Sequence, residues 1–221
     1  MNRAVALPRC LGAEFVGTFA LVFAGAGAIV IDTKQPGAIT HVGIAATFGL
    51  VIMVMIYAVG HISGGHFNPG VTLAFAVARH FPLRYVMPYW AAQFLAAIAA
   101  AGVLRLMFGD VASLGATRPA GSDMQSFWLE AILTLGLMFV IVSVATDTRA
   151  VGQAAAIAIG GTVGLEAMFA GPISGASMNT ARSLGPALVS GEFHSLWIYV
   201  VAPPLGAVMG ALIYQAIRGD A

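Results

Sequence analysis

The chain has 221 residues, of which 59% are hydrophobic and only 9% are charged, and its formal net charge is +1. This composition is typical of an integral membrane protein, because a soluble domain of this length needs a larger charged surface. The sequence has no basic run, no cluster of cysteines and histidines, and a single cysteine, Cys10. These features argue against a nucleic-acid partner, a bound metal or cofactor and an internal disulfide.

Six apolar stretches are long enough to cross a lipid bilayer, and we predict an all-α membrane protein. The first stretch, whose only charge is Glu14, exceeds the apolar region of a signal peptide and is predicted as a span. The predicted spans are residues 10–31, 41–60, 86–104, 127–145, 151–170 and 196–217. The longest polar connection, residues 105–123, separates two halves, about 1–108 and 124–221, of one predicted membrane domain.

A related motif occurs once in each half. Residues 62–71 read Ile-Ser-Gly-Gly-His-Phe-Asn-Pro-Gly-Val, and residues 173–182 read Ile-Ser-Gly-Ala-Ser-Met-Asn-Thr-Ala-Arg. The asparagines, Asn68 and Asn179, are 111 residues apart, about half the chain, so a whole half is duplicated. Each motif predicts a glycine-rich loop followed by a helix that asparagine caps. The apolar runs that follow are too short to cross a bilayer and predict half-helices.

The number of spans determines how the halves are related. Three spans per half place the second half upside down relative to the first, so two half-helices approach the midplane from opposite sides. Irregular backbone at that depth must line a wet cavity, which predicts a pore with the Asn68 and Asn179 amides at its midpoint. The positive helix ends oppose cations, so small neutral solutes and water are the expected cargo. Carbonyl acceptors along the pore are predicted at Gly64, Gly65, His66, Gly175 and Ser177.

The motif residues resemble those of the aquaporins and aquaglyceroporins. Residues 13–19 resemble the family's opening helix, residues 60–69 its first loop and residues 178–183 its second loop, so the resemblance covers nearly the whole chain. It implies a facilitative channel, not an enzyme, that assembles as a homotetramer with one pore per subunit. The family usually carries Asn-Pro-Ala twice, whereas this chain has Gly70 and Thr180 within its motifs. Both asparagine donors remain, so we expect a pore and leave the strictness of proton exclusion open.

The resemblance also implies an outer selectivity filter of four residues: Phe48, Ala167, Ala176 and Arg182. Water-selective members commonly have histidine at the position of Ala167, which narrows the gate. Here two alanines leave a wider opening, with Phe48 as an apolar wall and Arg182 as the main donor. Such a filter resembles those that pass glycerol-like polyols and neutral hydroxides such as arsenous acid, with water as co-permeant. Glycerol channels usually place an aromatic residue near position 176, so the match is incomplete there.

Several titratable residues fall within the apolar segments. Glu14 and Glu130 occupy matching places in the two halves, and each is predicted to accept hydrogen bonds from a re-entrant loop. His61 and His66 are predicted as hydrogen-bonded supports of the first loop, with a pH gate as the alternative. Glu166 has no counterpart in the first half. A solvated helix end is its favoured interpretation, and the outer vestibule, an ion pair or a subunit contact are the alternatives.

The distribution of basic residues predicts the orientation. One side holds six lysines and arginines and the other holds three, so both termini are expected in the cytoplasm, with a bacterial inner membrane as the expected location. The larger set is Arg3, Arg9, Arg79, Arg84, Arg149 and Arg218. Other functions that remain open are a water-selective aquaporin, a proton-coupled transporter that uses its membrane glutamates, and a structural membrane protein. No nucleophile–base pair suggests an enzyme.

Overall fold

The computed structural model describes residues 6–146 and 154–218, and this part of the chain contains helices and no strand. The helices are α1 Leu7–Lys34, α2 Thr40–Ser63, α3 Pro69–Val77, α4 Val86–Phe108, α5 Asp123–Thr146, α6 Ala155–Ser174, α7 Thr180–Ser190 and α8 Leu196–Arg218. Short 3-10 helices lie at Leu83–Tyr85 and Ala112–Gly115. The predicted turn at 147–149, the predicted start of the fifth span at 151–153, and Arg3 and Arg149 lie outside the described residues.

The long helices confirm the six predicted spans. Six of the described helices, α1, α2, α4, α5, α6 and α8, are long and apolar enough to cross a membrane. Most extend a few residues beyond the predicted apolar run, because a helix continues until its polar end reaches the interface, as α1 does at Lys34. The two short helices, α3 with 9 residues and α7 with 11, confirm the predicted half-helices.

Asparagine determines where each half-helix begins. The Asn68 side-chain oxygen accepts a hydrogen bond from the Gly70 backbone N–H at 2.9 Å, and the Asn179 oxygen accepts from Ala181 N–H at 3.0 Å. Both are N-caps, which satisfy donors that the first helical turn leaves without a partner. The half-helices therefore begin directly after each asparagine, earlier than the apolar runs alone predict.

The helix contacts repeat between the two halves. α1 packs against α2 and α4, and α5 packs in the same way against α6 and α8. Each half-helix packs mainly on a long helix of the other half, α3 on α8 and α7 on α4, while α3 and α7 also touch each other. The halves therefore interlock through their half-helices, as an inverted repeat requires.

Glycines allow the closest helix contacts. A Cβ at Gly206 would lie 2.0 Å from the Ala131 carbonyl oxygen, and one at Gly210 would lie 2.3 Å from the Leu135 carbonyl oxygen. These two glycines thus bring the backbones of α5 and α8 together. Glycine also allows α2 and α6 to approach closely, because a Cβ at Gly49 would lie 2.6 Å from the Gly160 carbonyl oxygen. Close approach of this kind is typical of membrane helix interfaces.

Candidate functional site

A buried carboxyl group on α1 holds the first loop. One oxygen of Glu14 accepts from the Ser63 hydroxyl at 2.7 Å and from the His66 backbone N–H at 2.9 Å. The other accepts from the Phe67 backbone N–H at 2.7 Å and from the Gln93 side-chain amide at 2.8 Å. All of these partners are donors, so the carboxyl group acts only as an acceptor, the role of an ionised carboxylate.

In the second half, Glu130 holds the second loop as Glu14 holds the first, and both act as loop anchors. Glu130 on α5 accepts from the Ser174 hydroxyl at 2.6 Å and from the backbone N–H groups of Ser177 at 2.9 Å and Met178 at 2.8 Å. Glu14 and Glu130 are both fully buried. The structure therefore places each glutamate behind one loop, where it fixes the backbone that leads to the asparagine.

The two asparagines connect the halves at the centre. The Asn68 amide donates to the Met178 carbonyl at 2.7 Å, and the Asn179 amide donates to the Phe67 carbonyl at 2.8 Å. Phe67 and Met178 adopt left-handed backbone conformations, with φ of 50° and 53°. An amide nitrogen carries two hydrogens, so each asparagine keeps one N–H beyond this bond. Both asparagines line the same central cavity.

Three cavities follow one another through the molecule. An outer vestibule of about 310 Å³ lies beside residues 116–118, a central cavity of about 110 Å³ lies at the asparagines, and an inner vestibule of about 560 Å³ lies at the opposite end. The outer vestibule and the central cavity share Phe48 and Arg182 as lining residues. The central cavity and the inner vestibule share Ile56, Gly64 and Ala155. The shared lining residues show that the three cavities lie next to one another in this order.

The four predicted filter residues come together where the outer vestibule meets the central cavity. Ala167 lines the outer vestibule, Ala176 lines the central cavity, and Phe48 and Arg182 line both. The side chain of Arg182 is only 2% exposed, and its terminal nitrogen donates to the Gly115 carbonyl at 2.8 Å. This bond orients the guanidinium group, which is the one cation at the boundary among the described lining residues.

The predicted carbonyl positions are distributed along the cavities. Gly64, Gly65, His66 and Ser177 line the central cavity, whereas Gly175 lines the outer vestibule. Gly64, Gly65 and Gly175 have φ of 94°, 65° and 83°, a backbone conformation that favours glycine. The left-handed glycines allow the loops to extend along the series of cavities before each half-helix begins.

The polar connection between the halves contributes residues that the sequence analysis missed. Besides the Gly115 carbonyl that holds Arg182, the Thr117 hydroxyl donates to the Ser183 hydroxyl at 2.8 Å. Thr117 also lines the outer vestibule. No local sequence pattern indicates these roles, because a backbone carbonyl has no residue signature. The connection is therefore part of the site and not only a linker.

A pair of tyrosines was also missed. The Tyr89 hydroxyl donates to the Ser63 carbonyl at 2.9 Å, and the Tyr199 hydroxyl donates to the Ser174 carbonyl at 2.6 Å. The two serines stand at the same place in the two motifs, and each tyrosine follows its serine at almost the same separation. A search for repeated spacing beyond the motifs would have found them.

His66 and His61 differ in their surroundings. The His66 ring is buried, with Nδ1 3.1 Å from the Thr72 hydroxyl, and Thr72 in turn donates to the Asn68 carbonyl at 3.0 Å. His61 is exposed beside the inner vestibule, and within residues 6–146 and 154–218 it has no hydrogen bond to the first loop. The prediction that His61 supports this loop is therefore corrected, because the ring lies outside the packed part of the loop.

The structure contradicts the favoured prediction for Glu166, which was a solvated position at a helix end. It lies in the middle of α6 and is only 8% exposed. It belongs to the buried face of α6, which also includes Ile159, Val163 and Ala170, so the side chain lies inside the protein.

Comparison with known proteins identifies the family to which this architecture belongs. The Major intrinsic protein family model matches residues 1–214. The chain belongs to the major intrinsic protein family. This major intrinsic protein is 58% identical over 207 residues to "Aquaporin NIP1-1" of Oryza sativa subsp. japonica, a match that covers 93% of this chain and 73% of that protein. It is 53% identical over 209 residues to "Nodulin-26" of Glycine max, a match that covers 94% of this chain and 77% of that protein.

A solved structure shows the same fold. The X-ray structure of the aquaglyceroporin from Plasmodium falciparum superimposes with a TM-score of 0.86 over 96% of this chain and 97% of that chain, at 24% sequence identity. This major intrinsic protein is therefore an integral membrane protein of the aquaporin channel family and not an enzyme. The two relatives from Oryza sativa subsp. japonica and Glycine max are plant proteins. They support a membrane location but do not support the bacterial inner membrane expected from the sequence.

Proposed function

We propose that this protein is a passive channel for small uncharged solutes, namely glycerol-like polyols and neutral metalloid hydroxides such as arsenous acid, with water as co-permeant. The observation that carries the proposal is the composition of the boundary between the outer vestibule and the central cavity. Two of its four residues, Ala167 and Ala176, end in a methyl group. They leave more room for a solute than the histidine of a water-selective filter would.

The lining of the central cavity supports a solute with two kinds of surface. The loops contribute polar groups, including His66, Asn68 and Asn179. The remaining wall is apolar and includes Leu21, Ile52, Val71, Phe75, Leu137, Ile141, Ile159 and Val163. A polyol presents hydroxyl groups on one edge and C–H groups on the other. It can therefore form hydrogen bonds with the polar loop groups while its C–H groups contact the apolar wall.

The half-helices support the exclusion of cations. α3 and α7 begin directly after Asn68 and Asn179, and the positive ends of their dipoles meet at the central cavity. Arg182 adds a full positive charge at the filter. Both effects raise the potential along the path and oppose cations, including hydronium.

The central hydrogen bonds favour a channel over an alternating transporter. The bonds from Asn68 to Met178 and from Asn179 to Phe67 join the two halves at the point about which a transporter would rock. The carboxylates of Glu14 and Glu130 are already occupied by loop donors, so neither is free to carry a proton.

We extend the proposal to assembly and orientation. Residues 1–221 act as a single channel domain, and both termini lie in the cytoplasm, which the excess of basic residues on one side supports. We also propose a homotetramer. Large apolar residues exposed on α2 and α6, such as Leu50, Val54, Leu165 and Phe169, require either lipid or another subunit as a neighbour.

Stopped-flow measurements on proteoliposomes test the function. The wild type is expected to pass water, glycerol and arsenous acid without saturation and without dependence on a proton gradient. Ala167→His should lower glycerol flux roughly tenfold or more relative to water flux, since a misfit of about one methylene costs ~1–3 kcal/mol. Ile157→His, at an exposed position of the same helix ten residues before Ala167, is the control and should leave the ratio unchanged. Equal loss for water and glycerol in Ala167→His would contradict the filter assignment.

A further inference from the structure

Glu166 carries a buried carboxyl group that the proposed permeation path does not use. Its side chain is 8% exposed, and its Oε2 atom is buried with no hydrogen-bond partner among the described residues. On α5, a Cβ at Gly136 would lie 2.8 Å from Glu166 Oε1, so the carboxyl group fits there because position 136 is glycine. The next residue of α6, Ala167, lines the outer vestibule at the filter. The carboxyl group thus lies between two helices directly behind the filter wall.

The neighbouring helices offer this group no positive charge. α6 packs against α2 and α5. The described titratable residues of these helices are His41, Tyr57 and His61 on α2, and Asp123 and Glu130 on α5.

Glu130, the one titratable residue within the apolar part of α5, is itself a carboxyl group and brings no positive charge. Asp123 binds Ser195 and Trp197 at the outer end of α5, and the His41 ring nitrogen lies 2.6 Å from the Met168 carbonyl. No cation in the described part of these helices therefore compensates a negative Glu166. Arg182, the cation at the filter boundary, donates to the Gly115 carbonyl and contacts the Phe48 ring instead.

We propose that Glu166 is an uncharged carboxylic acid that acts as a positioning residue for the filter, by setting the spacing of α5 and α6 and with it the position of Ala167. The inference rests on the proposed channel function. A buried carboxylate without a partner is strongly unfavourable in an apolar interior, whereas the neutral acid packs as an ordinary side chain. Ionisation at alkaline pH draws the carboxyl group towards water, and α6 moves with it.

The pH dependence of permeability in Glu166→Gln distinguishes an effect of the charge at position 166 from an effect of the side-chain shape. Glutamine has nearly the same shape as glutamic acid and stays uncharged at all pH values. At neutral pH the variant is expected to have the wild-type ratio of glycerol to water permeability. Between neutral and alkaline pH the wild-type ratio should change roughly two- to thirtyfold, the range for changes that act on a site through packing. The ratio of the variant should stay constant. A purely structural role would leave the two pH profiles identical.

Gly136→Ala tests the position of the group at neutral pH. The added methyl displaces the flexible end of Glu166, so the permeability ratio should change while the protein still folds. Gly161→Ala is the matched control, because a Cβ at this exposed position of α6 meets no atom within 4 Å. An unchanged ratio in Gly136→Ala would overturn the positioning role.

A chemical probe tests the charge state without transport. The O–H of an uncharged carboxylic acid adds across a C=N bond of a lipid-soluble carbodiimide to give an O-acylisourea. Its acyl group then migrates from oxygen to nitrogen, and mass spectrometry detects the resulting N-acylurea on the peptide. We expect labelling of Glu166 at neutral pH and protection of Glu14 and Glu130, whose oxygens accept loop donors. An unlabelled Glu166, or a pH profile of Glu166→Gln identical to that of the wild type, would overturn the inference. Labelling without any water or glycerol flux would instead refute the proposed function.

Discussion

The guanidinium carbon of Arg182 lies 5.0 Å from the centre of the Phe48 ring, so the two large residues of the proposed filter contact each other. This distance is typical of a cation–π interaction. Because these side chains meet, the room for a solute lies beside them, where Ala167 and Ala176 present methyl groups. The position of the Phe48 ring therefore helps to determine the width of the opening.

Gly25 on α1 determines how far the Phe48 ring can withdraw from the path. A Cβ at Gly25 would lie 2.2 Å from a ring carbon of Phe48, so Gly25→Ala must push the ring away from α1. We expect the variant to lose glycerol permeability more than water permeability, by about tenfold for a misfit of this size. Gly12→Ala, at an open position of the same helix, is the control in stopped-flow assays. A loss confined to water would show that the ring does not limit the larger solute.

Gly115 supplies the carbonyl that orients Arg182 and is packed against α1. Its φ is 72°, and a Cβ would lie 2.9 Å from the Cβ of Ala26. Gly115→Ala should shift the carbonyl, release Arg182 and reduce the discrimination between solutes. Gly191→Ala has the same left-handed backbone strain, at φ 82° and ψ 14°, but its Cβ meets no atom within 4 Å. Both variants should lose about 1–2 kcal/mol to left-handed strain, and only Gly115→Ala should alter the ratio of permeabilities. Equal ratios in the two variants would refute this role for the connection.

Glu14 and Glu130 are expected to be the most sensitive carboxylates for stability. Glutamine in either place turns an NH₂ group towards backbone donors, and each buried donor left without an acceptor costs about 1–3 kcal/mol. Thermal denaturation in detergent should therefore show a lower melting temperature for Glu14→Gln and Glu130→Gln. Asp110→Asn is the control, since its ion pair with Arg105 is exposed and worth at most about 1 kcal/mol. Stability equal to that of the control would argue against the loop anchors.

Thr180 replaces the proline that the family usually has in its second motif, and this replacement brings an unpaired polar group into the described part of the protein. Its hydroxyl oxygen is buried without a hydrogen-bond partner among the described residues. Thr180 is the first residue of α7, a position where proline is well tolerated. Thr180→Pro should therefore raise the melting temperature. Proline restricts the unfolded chain, which should add about 0.4–1 kcal/mol to the free energy of unfolding. Gly70→Ala is the contrast. Its Cβ would be crowded at 3.3 Å from the Asn68 side-chain oxygen, so we expect no stabilisation. A destabilised Thr180→Pro would contradict this explanation.

The sequence by itself determined the spans, the half-helices and the fold class. These features depend on the length of apolar runs and on the residues at helix starts, and both are properties of consecutive positions. The repeat of Asn68 at Asn179 further predicted that the halves are inverted, because three spans lie in each half. The similarity of Glu14 and Glu130 was visible for the same reason.

Only the tertiary structure decided what surrounds the filter. The acceptor for Arg182 is a backbone carbonyl 67 positions earlier, at Gly115, and no residue type marks such a carbonyl in a sequence. The packing of Gly25 behind Phe48 and the burial of Glu166 against Gly136 likewise arise from contacts between different helices. Such contacts depend on how the helices cross in space, which the order of residues along one helix does not specify.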